Sequence, residues 1–152
     1  MKEDMADAIV WSADWLWGLP LVVSMLMLHV LGLGLIDEVI MRFVRPRGLR
    51  PGSIGNFVQV MTVAILAATL LHGIEASAWA ISYRALGAVA DSRSAMLYSL
   101  NAITAFGHAN IYLAPQWQLM GALEALNGIM MFGLTTAFLF AIMQRVWPEG
   151  RR

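Results

Sequence analysis

Residues 92–106 have the sequence SRSAMLYSLNAITAF and lie between two much longer apolar runs. Asp91 and Ser92 are both suitable N-cap residues for a helix at this place. A helix of about 13 residues rises only about 20 Å, which is too short for the hydrocarbon core of a bilayer, about 30 Å thick. The sequence therefore predicts a short re-entrant or interfacial helix over residues 92–106.

Three apolar runs surround this short segment, at residues 15–41, 57–84 and 117–146. Each is long enough for a helix to cross the bilayer, which takes about 20 residues. The chain is 59% hydrophobic and only 13% charged, with a mean hydropathy of +0.67, so it is too apolar for an ordinary soluble domain. We therefore predict an all-α membrane protein with three transmembrane helices in one membrane domain, 1–152, whose partner is the lipid bilayer.

The positions of the arginines predict the topology. Seven of the nine follow the first and third runs, as Arg42, Arg45, Arg47, Arg50, Arg145, Arg151 and Arg152, whereas the second connection has only Arg84 and Arg93. By the positive-inside rule, residues 42–56 form a cytoplasmic basic link, 147–152 a cytoplasmic tail and 1–14 an outer N-terminal segment. The short helix is then expected on the outer side. The six tryptophans are expected at the membrane interfaces, with Trp11, Trp15, Trp17, Trp79 and Trp117 outside and Trp147 inside.

Composition argues against several classes of function. Ten basic and ten acidic residues give a net charge of zero, so no nucleic-acid surface is expected. The chain has no cysteine and therefore no thiolate metal site. No nucleophile and base stand in a recognisable catalytic arrangement, which argues against an enzyme. No feature of the sequence indicates a soluble partner.

A family resemblance rests on the order of the elements and on particular residues. The order is span, short helix, glycine-containing loop and span. In the second half these residues are Ala95 to Ser99, Thr104 to Asn110, Leu113, Trp117, Gly121, Glu124, Ala125, Asn127, Gly128, Phe132, Gly133 and Thr136 to Phe138, and upstream they are His72, Glu75, Trp79, Ala80 and Tyr83. Over about residues 57–146 the chain resembles the pore domain of bacterial potassium channels. The resemblance implies a homotetrameric pore-loop channel in a bacterial inner membrane, with 92–106 as the pore helix and 107–115 as a filter-like loop.

The filter-like loop departs from the family pattern T-T-[VL]-G-Y-G-D. The corresponding residues are Thr104, Ala105, Phe106, Gly107, His108, Ala109 and Asn110. In the resembled family, backbone carbonyls and a threonine hydroxyl replace the hydration shell of potassium. Ala105 has no such hydroxyl, and Ala109 replaces a glycine at a cost on the order of 1 kcal/mol per subunit. Asn110 removes a carboxylate at the outer mouth.

These departures predict a weakly selective cation channel that has lost potassium selectivity. No cofactor is expected, and monovalent cations would be the permeant ions. The alternative is a non-conducting subunit that keeps the pore fold for a structural or regulatory role. His108 replaces the family's tyrosine, and two interpretations stay open: a pore-mouth histidine that titrates near neutral pH, or an imidazole that only fills the packing role of the phenol.

Four polar residues inside the apolar runs are expected to face protein or water rather than lipid and to support the loop: His72, Glu75, Glu124 and Asn127. Ion coordination or a proton relay is the alternative role. His72 and Glu75 are three residues apart on one helix face and are able to pair. A metal site built from His29, His72, Glu75 and Glu124 is an alternative, but the spacing is not diagnostic, and no metal is predicted.

The third span is expected to line an inner cavity. The resemblance makes Gly128 or Gly133 a hinge, whereas close helix packing is the other explanation for these glycines. Phe132, Thr136, Leu139 and Met143 lie roughly on one helical face and are predicted to form the cavity wall.

Overall fold

The computed structural model describes residues 2–44, 54–107 and 110–147. Within these ranges the secondary structure is helical. The elements are α1 (Lys2–Val44), α2 (Ile54–Ala85), α3 (Ser92–Ile103), a 3-10 turn (Pro115–Trp117) and α4 (Gln118–Val146). Three segments, Asp14–Arg42, Ile54–Ala85 and Pro115–Val146, are helical, long and apolar enough to cross a membrane. The prediction of a helical membrane protein with three such helices is confirmed at this level.

Several boundaries differ from those expected. The first helix begins at Lys2, so residues 2–14 of the expected outer segment belong to the same helix as the first span. No proline or glycine occurs before Gly18 to interrupt this helix. The short helix ends at Ile103 rather than at residue 106, because Ala105 adopts a left-handed backbone with φ of 52°. Most of the predicted basic link, residues 45–53, lies outside the described residues.

The three long helices form a bundle with alternating direction. α1 and α4 run parallel, since Gly18 packs on Leu123 near one end and Asp37 pairs with Arg145 at 2.6 Å near the other. α2 is antiparallel to both. A Cβ on Gly32 of α1 would come within 2.6 Å of Leu71 Cδ1, so glycine allows α1 and α2 to approach closely.

The bundle has two buried apolar cores, and one of them lies near the end at which Asp37 pairs with Arg145. Ile40 of α1, Val60 and Ala64 of α2, and Ile142 of α4 are buried together there. The other core, around Trp79 and Tyr83, packs α2 against α3 and α4. The two cores leave the outer faces of the helices apolar and exposed, as a bilayer requires.

The short helix α3 packs between α2 and α4 and runs parallel to α4. The Ser99 hydroxyl reaches the carbonyl of Ala76 in α2 at 2.8 Å and Glu124 of α4 at 2.5 Å. Farther along, the Ile103 carbonyl lies against Gly128. Gly128 is ten residues into α4, which corresponds to about 15 Å along its axis. α3 therefore ends roughly half-way along the bundle.

Local turns fix where α3 begins. Gly87, with φ of 67°, ends α2 in a left-handed turn in which the Ala88 N–H donates to the Tyr83 carbonyl at 2.8 Å. Asp91 is the N-cap of α3, because its Oδ1 accepts the Ser94 N–H at 2.9 Å. The hydrogen bond from Ser94 stabilises the Asp91 carboxylate and lowers the pKa of Asp91 from its usual value.

The chain that follows α3 returns to the end of the bundle at which α3 began. We call residues 104–107 and 110–114 the return loop. Its last residue, Ala114, donates its N–H to the carbonyl of Ala88 at 2.9 Å. The segment thus descends along α4 and comes back to the α2–α3 turn, so α4 starts from the same end as α3.

The tryptophans only partly follow the expected interfacial pattern. Trp15, Trp17 and Trp147 have exposed side chains. Trp79, expected at the outer interface, is instead completely buried and lies 5.9 Å from Tyr83, ring centroid to ring centroid. The prediction for Trp79 was wrong because its helix face is covered by α3, a contact between helices that the sequence of α2 alone does not reveal.

Candidate functional site

The first buried polar cluster surrounds Glu124 of α4. Its carboxyl group accepts a hydrogen bond from the Tyr83 hydroxyl at 2.6 Å and contacts the Ser99 hydroxyl at 2.5 Å. Glu124, Ser99 and Tyr83 are completely buried. We call these three residues the bracing cluster, because they join α2, α3 and α4 at one point.

The hydrogen bonds of the bracing cluster indicate where its hydrogen atoms lie. Ser99 has one hydroxyl hydrogen, but its oxygen lies within hydrogen-bonding distance of two acceptors, the Ala76 carbonyl and Glu124. Both bonds form at once when Ser99 donates to Ala76 and the Glu124 carboxyl group donates to Ser99. The cluster then contains a neutral glutamic acid, which costs far less to bury than a carboxylate.

Two glycines let α3 lie directly on α4. A Cβ added to Gly121 would collide with the Tyr98 hydroxyl, and one added to Gly128 would collide with the backbone of Ile103. Gly133, by contrast, has open space around it. Close packing therefore accounts for Gly128, one of the two glycines predicted as a hinge.

Asn127 lies beside Glu124 on the buried face of α4. Its side chain is completely buried, and neither amide atom has a hydrogen-bond partner within the described part of the chain. Of the residues predicted to support the loop, Glu124 contacts α3 directly through Ser99. His72 and Glu75 belong to a separate cluster.

This second cluster joins α1, α2 and α4. His29 Nδ1 hydrogen bonds with Glu75 Oε1 at 2.8 Å, and Nε2 of the same ring lies 3.1 Å from Thr135 Oγ1. His72 Nε2 lies 3.0 Å from the same Thr135 oxygen. We call His29, His72, Glu75 and Thr135 the histidine cluster. Of the four residues weighed as metal ligands, three come together here, and Glu124 belongs to the bracing cluster.

Two ligand atoms of the histidine cluster face each other without a hydrogen bond. His72 Nδ1 lies 3.2 Å from Glu75 Oε2, and neither atom has a hydrogen-bond partner among the described residues. His29 and Glu75 are completely buried, and the His72 side chain is 12% exposed. The His72 ring also stacks on Phe132, with the centroids 4.4 Å apart. The predicted pairing of His72 with Glu75 is thus a close contact within a larger set of groups.

The predicted filter residues lie in the return loop. Thr104, Ala105, Phe106, Gly107 and Asn110 are all exposed, and the Phe106 side chain is 85% exposed. Ala105, Gly107 and Asn110 have positive φ values. The Phe106 N–H donates to the Asn101 carbonyl at 3.0 Å, so the first part of the loop closes the end of α3. The predictions for His108 and Ala109 concern residues outside the described ranges.

The predicted cavity residues do not share one environment. Gly133 and Thr136 are exposed, and the Thr136 hydroxyl donates to the Phe132 carbonyl within its own helix at 2.8 Å. Phe132 stacks on His72. Leu139 and Met143 are partly buried, and Leu139 packs against the core around Ile142.

Sequence reasoning did not assign roles to Ser99 and Thr135, which complete the two clusters. A general signal points to such residues, because a buried glutamate or histidine in a span needs hydroxyl or amide partners on neighbouring helices. The signal does not choose between Thr135 and Thr136. That choice depends on the rotation of α4 against α1 and α2.

The arrangement defines a class of protein: a helical membrane protein with three potential spans and a half-length helix packed among them. No family model, no curated protein and no solved structure matches the chain.

Proposed function

We propose that this protein is the subunit of an oligomeric pore-loop channel that conducts monovalent cations with weak selectivity. In this proposal, copies of the return loop surround a water-filled axis. The observation that carries it is the path of residues 92–107 and 110–114, which run down α4 as a short helix and come back to Ala88, with residues 104–107 exposed.

The exposed backbone of the return loop supports an oligomer. Irregular backbone at membrane depth is tolerated only where it is buried in protein or lines a water-filled cavity, because lipid offers it no hydrogen bonds. Residues 104–107 follow the end of α3, about 15 Å along α4, and are exposed in a single copy. Other copies and an aqueous axis would supply the missing environment.

The direction of α3 supports cations as the permeant ions. The C-terminal end of a helix carries a partial negative charge. α3 has its N-terminus at the Asp91 turn and its C-terminus at Gly128, half-way along the bundle. Several such ends around one axis would stabilise a cation and disfavour an anion there.

The resemblance of residues 57–146 to the bacterial potassium-channel pore family supports four as the number of copies. It also supports a bacterial inner membrane, with the return loop outside and Arg42 and Arg145 at the cytoplasmic end. The sequence TAFGHAN in place of the family's filter supports weak selectivity, since only Thr104 and Gly107 are retained.

A non-conducting subunit of the same architecture is the second candidate. Ala105 favours it, because this residue has a left-handed backbone with φ of 52° and closes the end of α3. An L-residue pays about 1–2 kcal/mol for that conformation. A loop fixed in this way departs from a regular ladder of carbonyls facing an axis.

Currents from purified protein in planar bilayers test the proposal. With potassium chloride on one side and sodium chloride on the other, we expect cation currents and a reversal potential near zero. A strongly potassium-selective or chloride-selective current would contradict weak cation selectivity. Reconstituted protein that stays silent over a wide voltage range would favour the non-conducting subunit.

A further inference from the structure

The proposed pore does not require the histidine cluster. It lies at the junction of α1, α2 and α4, on the side of the bundle that binds α1, whereas α3 contributes Ser99 to the bracing cluster. It also contains two of the three histidines in the chain. Such a concentration of imidazole and carboxylate groups in an apolar bundle is costly unless the groups bind something or one another.

The ligand atoms of the cluster have the spacing of a metal site. One ligand atom each from His29, His72 and Glu75 lies within 4.8 Å of the others. In a tetrahedral zinc site with bonds of about 2.0–2.1 Å, neighbouring ligand atoms are about 3.3 Å apart. His72 Nδ1 and Glu75 Oε2 are already 3.2 Å apart and lack hydrogen bonds within the described chain.

Thr135 is placed to accept hydrogen bonds from both histidine rings, as the rings of metal-bound histidines require. A metal-bound imidazole usually donates its other N–H to an oxygen, which fixes the orientation of the ring. If both rings bound a metal through Nδ1, both Nε2 atoms would carry hydrogen. The Thr135 oxygen lies 3.0 Å from one Nε2 and 3.1 Å from the other, and its two lone pairs are able to accept both.

We propose that the histidine cluster binds a divalent transition-metal ion of the zinc class, with His29, His72 and Glu75 as protein ligands. Two imidazole nitrogens and one carboxylate suit zinc, and they do not suit magnesium or calcium, which prefer oxygen ligands. The ion connects α1 to α2, and Thr135 connects both ligand rings to α4. This proposal is independent of whether the protein conducts.

Zinc binding to the purified full-length chain in detergent tests the proposal. After treatment with a chelator, added zinc is expected to bind at one ion per chain, measured by elemental analysis after gel filtration. At about 100 times its dissociation constant it should raise Tm by about 5–10 °C. Magnesium should not change Tm. Cobalt in place of zinc should give the intense visible absorption of a four-coordinate ion.

Glu75→Gln separates metal binding from folding. A glutamine amide is able to accept from His29 Nδ1 and to donate to His72 Nδ1, so the variant should fold without metal. It should bind zinc at least about 100-fold more weakly than the wild type. His108→Ala, which removes the remaining histidine, is the control and should bind zinc as the wild type does.

The proposal is overturned if the wild-type chain binds less than one zinc ion, if zinc and magnesium shift Tm equally, or if His108→Ala alone abolishes binding. The same conclusion follows if folded Glu75→Gln binds zinc as tightly as the wild type. Should Glu75→Gln fail to fold, the stoichiometry, the Tm shift and the cobalt spectrum of the wild type decide the matter.

Discussion

Two buried glutamates occupy the membrane region of this protein, and their surroundings differ. Both Glu124 oxygens contact hydroxyl groups, from Tyr83 and Ser99. Glu75 contacts two imidazoles, and its Oε2 lacks a hydrogen bond within the described chain. The first environment suits a neutral acid that fastens helices together. The second has both the charge and the unpaired atoms for a cation.

If the proposed metal site is correct, glutamate serves two different purposes in the two clusters. Hydroxyl partners satisfy the hydrogen bonds of a carboxyl group without adding a charge. The bracing cluster therefore needs only a hydrogen-bond partner for each of its polar atoms. Imidazole partners leave nitrogen lone pairs and a carboxylate facing one another. The two clusters should therefore respond differently to substitutions that remove charge and keep hydrogen bonding.

The largest effect is expected from Glu124→Ala. It removes the acceptor of Tyr83 and the partner of Ser99 and leaves a cavity, so unfolding free energy should fall by about 4 kcal/mol. Glu124→Gln keeps a donor for Ser99 and an acceptor for Tyr83 and should lose less than about 1 kcal/mol. Unfolding in mixed micelles, followed by circular dichroism, measures both. Equal losses in the two variants would refute a neutral bracing acid.

Gly128→Ala should destabilise the protein by about 1–3 kcal/mol, because the new Cβ meets the backbone of Ile103 and pushes α3 away from α4. Gly133→Ala is the matched control. Its surroundings are open, and alanine is the better helix former by about 1 kcal/mol, so stability should stay the same or rise. If Gly133→Ala were the more harmful in the same unfolding assay, bending at that glycine would matter more than packing.

A smaller effect is expected from Thr135→Val in the histidine cluster. The variant keeps the shape of the side chain but removes the oxygen between the two imidazoles, at a cost of about 1–2 kcal/mol. Thr136→Val serves as the control, since that exposed hydroxyl only bonds to its own helix. Thermal unfolding of both variants in chelator tests this prediction, which fails if the two lose the same stability.

The smallest effect is expected from protonation of Asp91, the cap of α3. The Ser94 backbone N–H lowers the pKa of Asp91, so the cap's contribution is complete above the ordinary aspartate pKa of about 4 and is lost as pH falls through the lowered value. Asp91→Asn caps the helix without titrating. Relative to Asp91→Asn, the wild type should lose Tm only at acidic pH. A pH-independent difference would argue against this role.

The sequence was sufficient to predict the features that depend on one segment at a time. The length of the apolar runs predicts the three long helices, and Asp91 was one of two residues expected to cap α3. The spacing of His72 and Glu75 predicts their contact. Contacts between helices were not predictable in this way. The burial of Trp79, the choice of Thr135 over Thr136, and the position of Ser99 depend on how the helices are rotated and aligned.

In the proposed channel, the end of α3 and the return loop face water inside the membrane. Because the chain has no cysteine, a single cysteine can report on this without background. Ala105→Cys places the thiol in the exposed part of the return loop, and Leu70→Cys places it on the outer face of α2, where the native side chain is 70% exposed.

Modification of these cysteines by a charged, membrane-impermeant thiol reagent during recording in planar bilayers is the most direct measurement. We expect the reagent to reduce the cation current through Ala105→Cys irreversibly and to leave the current through Leu70→Cys unchanged. If Ala105→Cys conducts but its current is unaffected by the reagent, or if both variants respond equally, the return loop does not line the conducting path.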